Sequence, residues 1–107
     1  WEQDHLNWDA NDLLAMLASW QNGDISSNGL YQNNFHKALQ SIRAKTIIIA
    51  CDNDLYFPPA DNELEVGHIE NGELRVYEST WGHCVASGGN DPKFQDFLDQ
   101  AITDLIG

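Results

Sequence analysis

Thr46-Ile47-Ile48-Ile49-Ala50-Cys51 runs directly into Asp52-Asn53-Asp54-Leu55-Tyr56-Phe57-Pro58-Pro59. The first part is apolar, rich in β-branched residues and free of polar alternation. That is the pattern of a strand covered on both faces, as in a parallel sheet with helices on each side, so a central strand is predicted over 46–51. The second part sets two carboxylates just past the carboxyl end of this strand, the edge where open α/β sheets gather ligands and catalytic groups. Pro58 and Pro59 suit a helix start, because proline lacks the N–H that a first helical turn leaves unbonded, and a helix is predicted over about 60–69. Asn71-Gly72 then turns the chain into a second strand, Glu73-Leu74-Arg75-Val76-Tyr77. Strand, helix, strand in that order predicts a parallel pair.

Further along, residues 78–90 carry Gly82, Gly88 and Gly89 and are expected to form a loop. Asp91-Pro92 opens a helix to about 106, and Phe94, Phe97, Leu98, Ala101, Ile102, Leu105 and Ile106 give it the strongest helical periodicity in the chain. Upstream, Asp9 can cap a helix over 9–20 whose Ala10, Leu13, Leu14 and Leu17 share one stripe, with Asp12 favourable at the positive helix end. Turn formers crowd residues 21–33, an expected irregular connection, and Phe35, Ala38, Leu39 and Ile42 then mark a shorter helix ending before Lys45. Four striped helices around two strands leave the first strand short of neighbours. The expectation is a C-terminal piece of a larger α/β protein, in keeping with a first residue, Trp1, that is not Met.

The length, 107 residues, and the 42% hydrophobic composition suit one packed core rather than a disordered chain. Seventeen acids against five Lys and Arg give a formal charge of −12, which repels nucleic-acid backbones and anionic lipid alike. No apolar run approaches the ~20 residues that span a bilayer, and no secretory signal is seen, so no membrane partner and a cytoplasmic location are expected. Cys51 and Cys84 form no C-x-x-C pair and read as free thiols. His5, His36, His68 and His83 show no zinc spacing, so no metal site is expected.

Thr80-Trp81-Gly82-His83-Cys84 follows the second strand. If the strands are parallel, His83 lies at the same sheet edge as Asp52 and Asp54 and can meet one of them. A carboxylate accepting from imidazole Nδ1–H fixes the tautomer and leaves Nε2 free to take a proton from a nucleophilic hydroxyl. Either aspartate can instead be a turn or capping group, and a satisfied loop histidine is the reading for His5, His36 and His68. Cys84 is expected to be half-buried and inert, since neighbours in an extended loop point apart.

At these residues the chain resembles the α/β-hydrolases, whose acid commonly sits in a G-x-x-D-x-x-[VF]-P turn and whose base sits in a G-H pair. The match runs through Asp54, Phe57, Pro58 and Gly82-His83, with Cys51 where the glycine is usual. More narrowly, Trp8-Asp9-Ala10-Asn11-Asp12-Leu13-Leu14, Asp52 to Pro59 and Trp81-Gly82-His83 look like the homoserine O-acetyltransferase branch, and the resemblance covers almost the whole chain.

The resemblance implies an α/β fold class, the C-terminal part of an α/β-hydrolase: its last two parallel strands with flanking helices, plus the end of a helical cap. Residues 1–33 would be the end of the cap and its return linker, and 34–107 the C-terminal part of the core. It implies Asp54 as triad acid and His83 as general base. From the residues themselves, the offset from the strand end makes Asp52 a group that caps or ties the turn, and Trp81, next to the base, reads as a packing residue or as lining of the acyl pocket. None of Ser19, Ser26, Ser27, Ser41, Ser79 and Ser87 lies in a G-x-S-x-G, so the nucleophile is expected outside this chain, in an N-terminal part of the same enzyme.

The implied activity is acyl transfer or ester hydrolysis on a small molecule, with no metal or redox cofactor. Acyl-CoA would be an available donor, and homodimerisation is left open. Homoserine O-acetyltransferase proper is the alternative, but homoserine-acylating members typically read Gly-His-Asp where this chain reads Gly82-His83-Cys84. A different class is a non-catalytic acidic binding module. Asp52, Asp54 and Glu63 fall at calcium-loop spacing, yet Phe57 occupies the glycine position. A phospho-receiver pocket would need a lysine after a strand, where Lys37, Lys45 and Lys93 are not found.

Overall fold

The computed structural model describes residues 2–87 and 89–107; Trp1 and the expected loop position Gly88 lie outside the described residues. They form two compact units, one ending at Phe35 and one comprising His36–Gly107.

The first unit holds α1 (Glu2–His5), which the sequence pattern did not signal, and α2 (Ala10–Gln21). Asp9 caps α2 by accepting the Asn11 amide at 2.7 Å. At the other end Asn22 returns its Nδ2 to the Ala18 carbonyl at 2.7 Å. Despite its apolar stripe no residue of α2 is buried. The connection that follows is built from side-chain turns: Asp24 accepts both the amide and the hydroxyl of Ser26 at 2.7 Å, and Asn28 accepts the amides of Leu30 and Tyr31 at 3.0 Å.

The second unit is organised on two parallel strands, β1 (Thr46–Cys51) and β2 (Gly72–Tyr77), paired from Thr46↔Gly72 to Cys51↔Tyr77. Preceding them, α3 (Phe35–Gln40) ends earlier than its apolar spacing suggested. The Ser41 and Ile42 amides tighten onto the carbonyls of Ala38 and Leu39, both buried. The crossover helix α4 (Pro59–Val66) has Pro59 in its first turn and packs on both strands. It stops short of residue 69 because His68 and Ile69 turn back onto Glu65 and Val66, burying Ile69.

The last helix, α5 (Pro92–Ile106), is capped by Asp91, which accepts the Lys93 amide. Strand residues alternate faces, so Ile47 and Ile49 share one face of β1, where they line an apolar hollow with Leu98, Ala101 and Leu105. On the same face of β2, Tyr77 packs edge-on against Phe94 and near Phe97, at ring-centre distances of 5.2 and 5.0 Å. Arg75 bridges Glu73 at 2.6 Å and Asp104 of α5 at 2.7 Å, and Lys45 donates to the Asp104 carbonyl.

Among the described residues β1 pairs only with β2. The expected central strand therefore stands at an edge. Thr46 and Asp52 donate to the carbonyls of Asn71 and Tyr77, so the alternating amides of Ile47, Ile49 and Cys51 point to the other side.

Candidate active site

Where β1 ends, the chain turns sharply: the Asp54 amide returns to the Cys51 carbonyl. One carboxylate oxygen of Asp54, Oδ1, accepts the amides of Tyr56 at 2.8 Å and Phe57 at 3.0 Å. This is an Asx-type turn, which explains an aspartate followed by a short run into proline: the side chain takes up the amides that neither strand nor helix uses. The other oxygen, Oδ2, is left for a second partner. Partial burial raises the Asp54 pKa, but the amides of Phe57 and Tyr56 together with His83 outweigh it and hold the carboxyl below its usual range.

Past β2, Ser79 anchors the next loop and Gly82 admits it. Gly82 sits at φ +51°, and a Cβ there would stand 2.6 Å from the Asn53 carbonyl oxygen. Only glycine fits this crossing, which is the physical reason for a Gly-His pair. A short 3-10 turn over Gly82–Cys84, not signalled by the sequence, then presents the imidazole.

His83 Nδ1 lies 3.1 Å from Asp54 Oδ2. An ionised carboxylate only accepts, so Nδ1 carries the proton and Nε2 is the free basic nitrogen. The Asp54 side chain is 11% exposed and that of His83 46%, a shielded carboxylate behind a reachable imidazole. Tyr56 and Phe57, at ring-centre distances of 4.7 and 5.5 Å, pack against the imidazole. Beside the pair opens a cavity of about 430 Å³, bounded by Ile49, Ala50 and Cys51 of β1 and by Phe57, Val85, Phe94 and Leu98.

Asp52, the rival for the histidine, is turned elsewhere: its Oδ1 accepts the Ser79 amide at 2.9 Å. Trp81 borders a separate hollow with Ser79, Thr80 and Asp91 and does not line the cavity at His83. Cys84 is exposed rather than half-buried, because the 3-10 turn lifts it outward, and Cys51 is buried; both thiols are free. His36 and His68 stack on each other at 3.9 Å, away from Asp54. Among the described residues no group of three His, Cys, Asp or Glu side chains is gathered to hold a metal, and no helix is long and apolar enough to cross a membrane. The packing of Tyr56 on His83 and the bonding of Asn53 to Ser79 were missed from sequence. The aromatic pair before Pro58 and the Asx-rich turn were their only signals.

Against known proteins, the chain is 35% identical over 98 residues to an ethyl acetate hydrolase of Pseudomonas veronii, covering 92% of this chain and 27% of that protein. It is 35% identical over 78 residues to a protein described as a probable esterase of Corynebacterium glutamicum, covering 73% of this chain and 22% of that one. A homoserine O-acetyltransferase of Nostoc punctiforme is 28% identical over 78 residues, covering 71% of this chain and 22% of the enzyme. The chain thus spans about a quarter of the length of the curated relatives it matches, 22–27%. No family model matches the chain, and no solved structure gives a significant match. Relatives of these kinds are those expected of the α/β-hydrolase branch that the three sequence motifs indicated.

Proposed function

We propose that this chain is the C-terminal part of a serine-dependent α/β-hydrolase-fold enzyme of the esterase and O-acyltransferase group, in which Asp54 is the triad acid and His83 the general base. The observation that carries the reading is the 3.1 Å contact of His83 Nδ1 with Asp54 Oδ2 at the carboxyl end of two parallel strands. Relatives that include an ethyl acetate hydrolase and a homoserine O-acetyltransferase support hydrolase or acyltransferase chemistry at that level. In this proposal a serine outside these 107 residues attacks the acyl carbonyl while His83 Nε2 takes its proton. The imidazolium, supported by Asp54, returns that proton to the departing alkoxide. Nε2 then deprotonates the water or alcohol that attacks the acyl-enzyme and passes that proton to the serine oxygen as the acyl group leaves, so each cycle ends with a neutral imidazole and a free serine hydroxyl. An ester or an acyl-CoA serves as donor, and no metal takes part.

The binding-module reading loses ground on one observation. Two of the three would-be calcium ligands, Asp52 and Asp54, already accept amide N–H groups. A cytoplasmic location belongs to the proposal and agrees with two free thiols. The deciding experiment labels the full-length protein with a fluorophosphonate and maps the adduct. A single labelled serine outside these residues, with labelling lost in His83→Ala, is the expected result. Undiminished labelling and ester turnover in Asp54→Asn and His83→Ala would overturn the assignment.

A further inference from the structure

The β1–β2 ladder ends at Cys51↔Tyr77, with the Asp52 amide on the Tyr77 carbonyl. Beyond that pair the contact passes to side chains, and Ser79 is their target. Its amide donates to Asp52 Oδ1 at 2.9 Å, and its carbonyl accepts Asn53 Nδ2 at 3.1 Å and the Cys51 thiol at 3.4 Å. Asn53 Nδ2 also donates to Asp52 Oδ1 at 3.0 Å, bracing the two arms against each other. The Ser79 hydroxyl extends the hold, donating to Asp91 Oδ2 at 2.8 Å and accepting the Trp81 amide at 3.3 Å.

Two consecutive residues thus grip both backbone groups of one residue just past the neighbouring strand, imitating a ladder pair where the ladder has stopped. Asp54 follows the gripping residues directly, and His83 follows the gripped one after a short loop whose Gly82 lies against the Asn53 carbonyl. We infer that Asp52 and Asn53 are positioning residues whose side chains clamp Ser79 and so hold the loop of His83 in register with the turn of Asp54. The inference rests on the Asp54–His83 reading given above. A hydrogen bond from an amide to an ionised carboxylate is stronger than a neutral one, which suits an aspartate at the first position. Misplacing a catalytic group by about 1 Å can cost about 100-fold in rate, so a clamp that defines one 3.1 Å contact has kinetic consequences.

The test uses the full-length enzyme with a short acyl ester, recording kcat, KM, thermal unfolding and the downfield proton resonance of His83 Nδ1–H. Asp52→Ala and Asn53→Ala are each expected to lower kcat about 10- to 100-fold with KM within about threefold, and to shift or broaden that resonance. Asp52→Asn keeps an oxygen for the Ser79 amide and is expected to recover most of kcat. The two arms are removed separately, so either alanine variant decides if the other does not fold. Wild-type kcat and resonance in a folded alanine variant, or activity lost only in proportion to folded protein, overturns the clamp while leaving the Asp54–His83 reading intact. Undiminished turnover in Asp54→Asn overturns that reading itself. Should Asp52→Asn be as damaging as Asp54→Asn, Asp52 is the acid and both assignments fall.

Discussion

The α-carbon of Gly82 is pressed against the carbonyl oxygen of Asn53 so closely that a Cβ on it would stand at 2.6 Å, with Gly82 held at φ +51°. Neither the space nor the backbone conformation tolerates a side chain there. Because the obstacle is backbone, no rotamer change relieves it. Gly82→Ala is expected to cost about 1–3 kcal/mol of stability from the strained dihedral alone. Turnover should fall further than stability does, because His83 is the next residue. Melting and steady-state rates of the same variant check both halves, and an unstrained, fully active Gly82→Ala would contradict them.

Asp54 and His83 are expected to act as one unit. In the serine-protease template, loss of tautomer control costs about 10⁴-fold in kcat, and the losses of members acting as one unit are far from additive. Asp54→Asn and His83→Ala should each reduce kcat by about that factor with melting temperatures near wild type, and the double variant should be little worse than the more damaging single one. Strictly additive losses would mean that the two residues work separately.

Much of this arrangement was legible in the sequence because local chemistry fixes it. The β-branched run Thr46–Cys51, the capping aspartates Asp9 and Asp91 and the proline at the start of α4 each specify an element without outside help. Parallel strands then bring Asp54 and His83 to one edge. What was not legible depends on neighbours. Whether α2 buries its stripe, whether β1 is central, and where α4 ends are settled by what packs against them; the α2 residues are unburied and β1 has one partner among the described residues. The 3-10 turn that exposes Cys84 likewise follows from Gly82 crossing Asn53, a contact between segments distant in sequence.

Asp91 gives a pH dependence whose sign can be worked out. The Ser79 hydroxyl, aided by Tyr77 and the Lys93 and Phe94 amides and against the opposing effect of burial, holds its carboxyl below the ordinary 3.8. As pH falls the unfolded chain takes up that proton first. The stabilisation is therefore fully present above the ordinary value and is lost as pH drops through the lower folded one. Asp91→Asn keeps a capping side chain but not the charge. The pH-dependent part of the stability gap between full-length wild type and Asp91→Asn should be constant near neutrality, begin to shrink toward pH 3.8 and be lost below the folded value. Melting both full-length proteins across the acid range measures it, and a gap that does not change with pH would be contrary to expectation.

The 107 residues produced on their own are expected to show no cooperative melt and no esterase turnover. The amides of Ile47, Ile49 and Cys51 point away from β2, the strand's one partner among the described residues, and Leu14, Met16 and Leu17 of α2 are exposed. A sharp calorimetric transition would show that the two-stranded core suffices.

Substrate charge is expected to separate this protein from the homoserine-acylating members it resembles. Those typically carry an aspartate after the Gly-His pair, placed to help hold the substrate ammonium, whereas here Cys84 follows His83. Cys84 is exposed and free, and a neutral thiol offers no charge pairing. Nor is Asp54 free to substitute, since one of its oxygens accepts two amides and the other faces His83. Leaving a buried ammonium without its carboxylate costs about 3–5 kcal/mol, more than a hundredfold in affinity. The full-length protein should therefore turn over short neutral esters and discriminate against L-homoserine with acetyl-CoA. Cys84→Asp should narrow that preference by strengthening binding of L-homoserine. Steady-state kcat/KM for both substrate classes in wild type and variant measures the effect. Efficient homoserine acetylation by the wild-type protein would defeat the Cys84 argument while leaving Asp54 and His83 in their assigned roles.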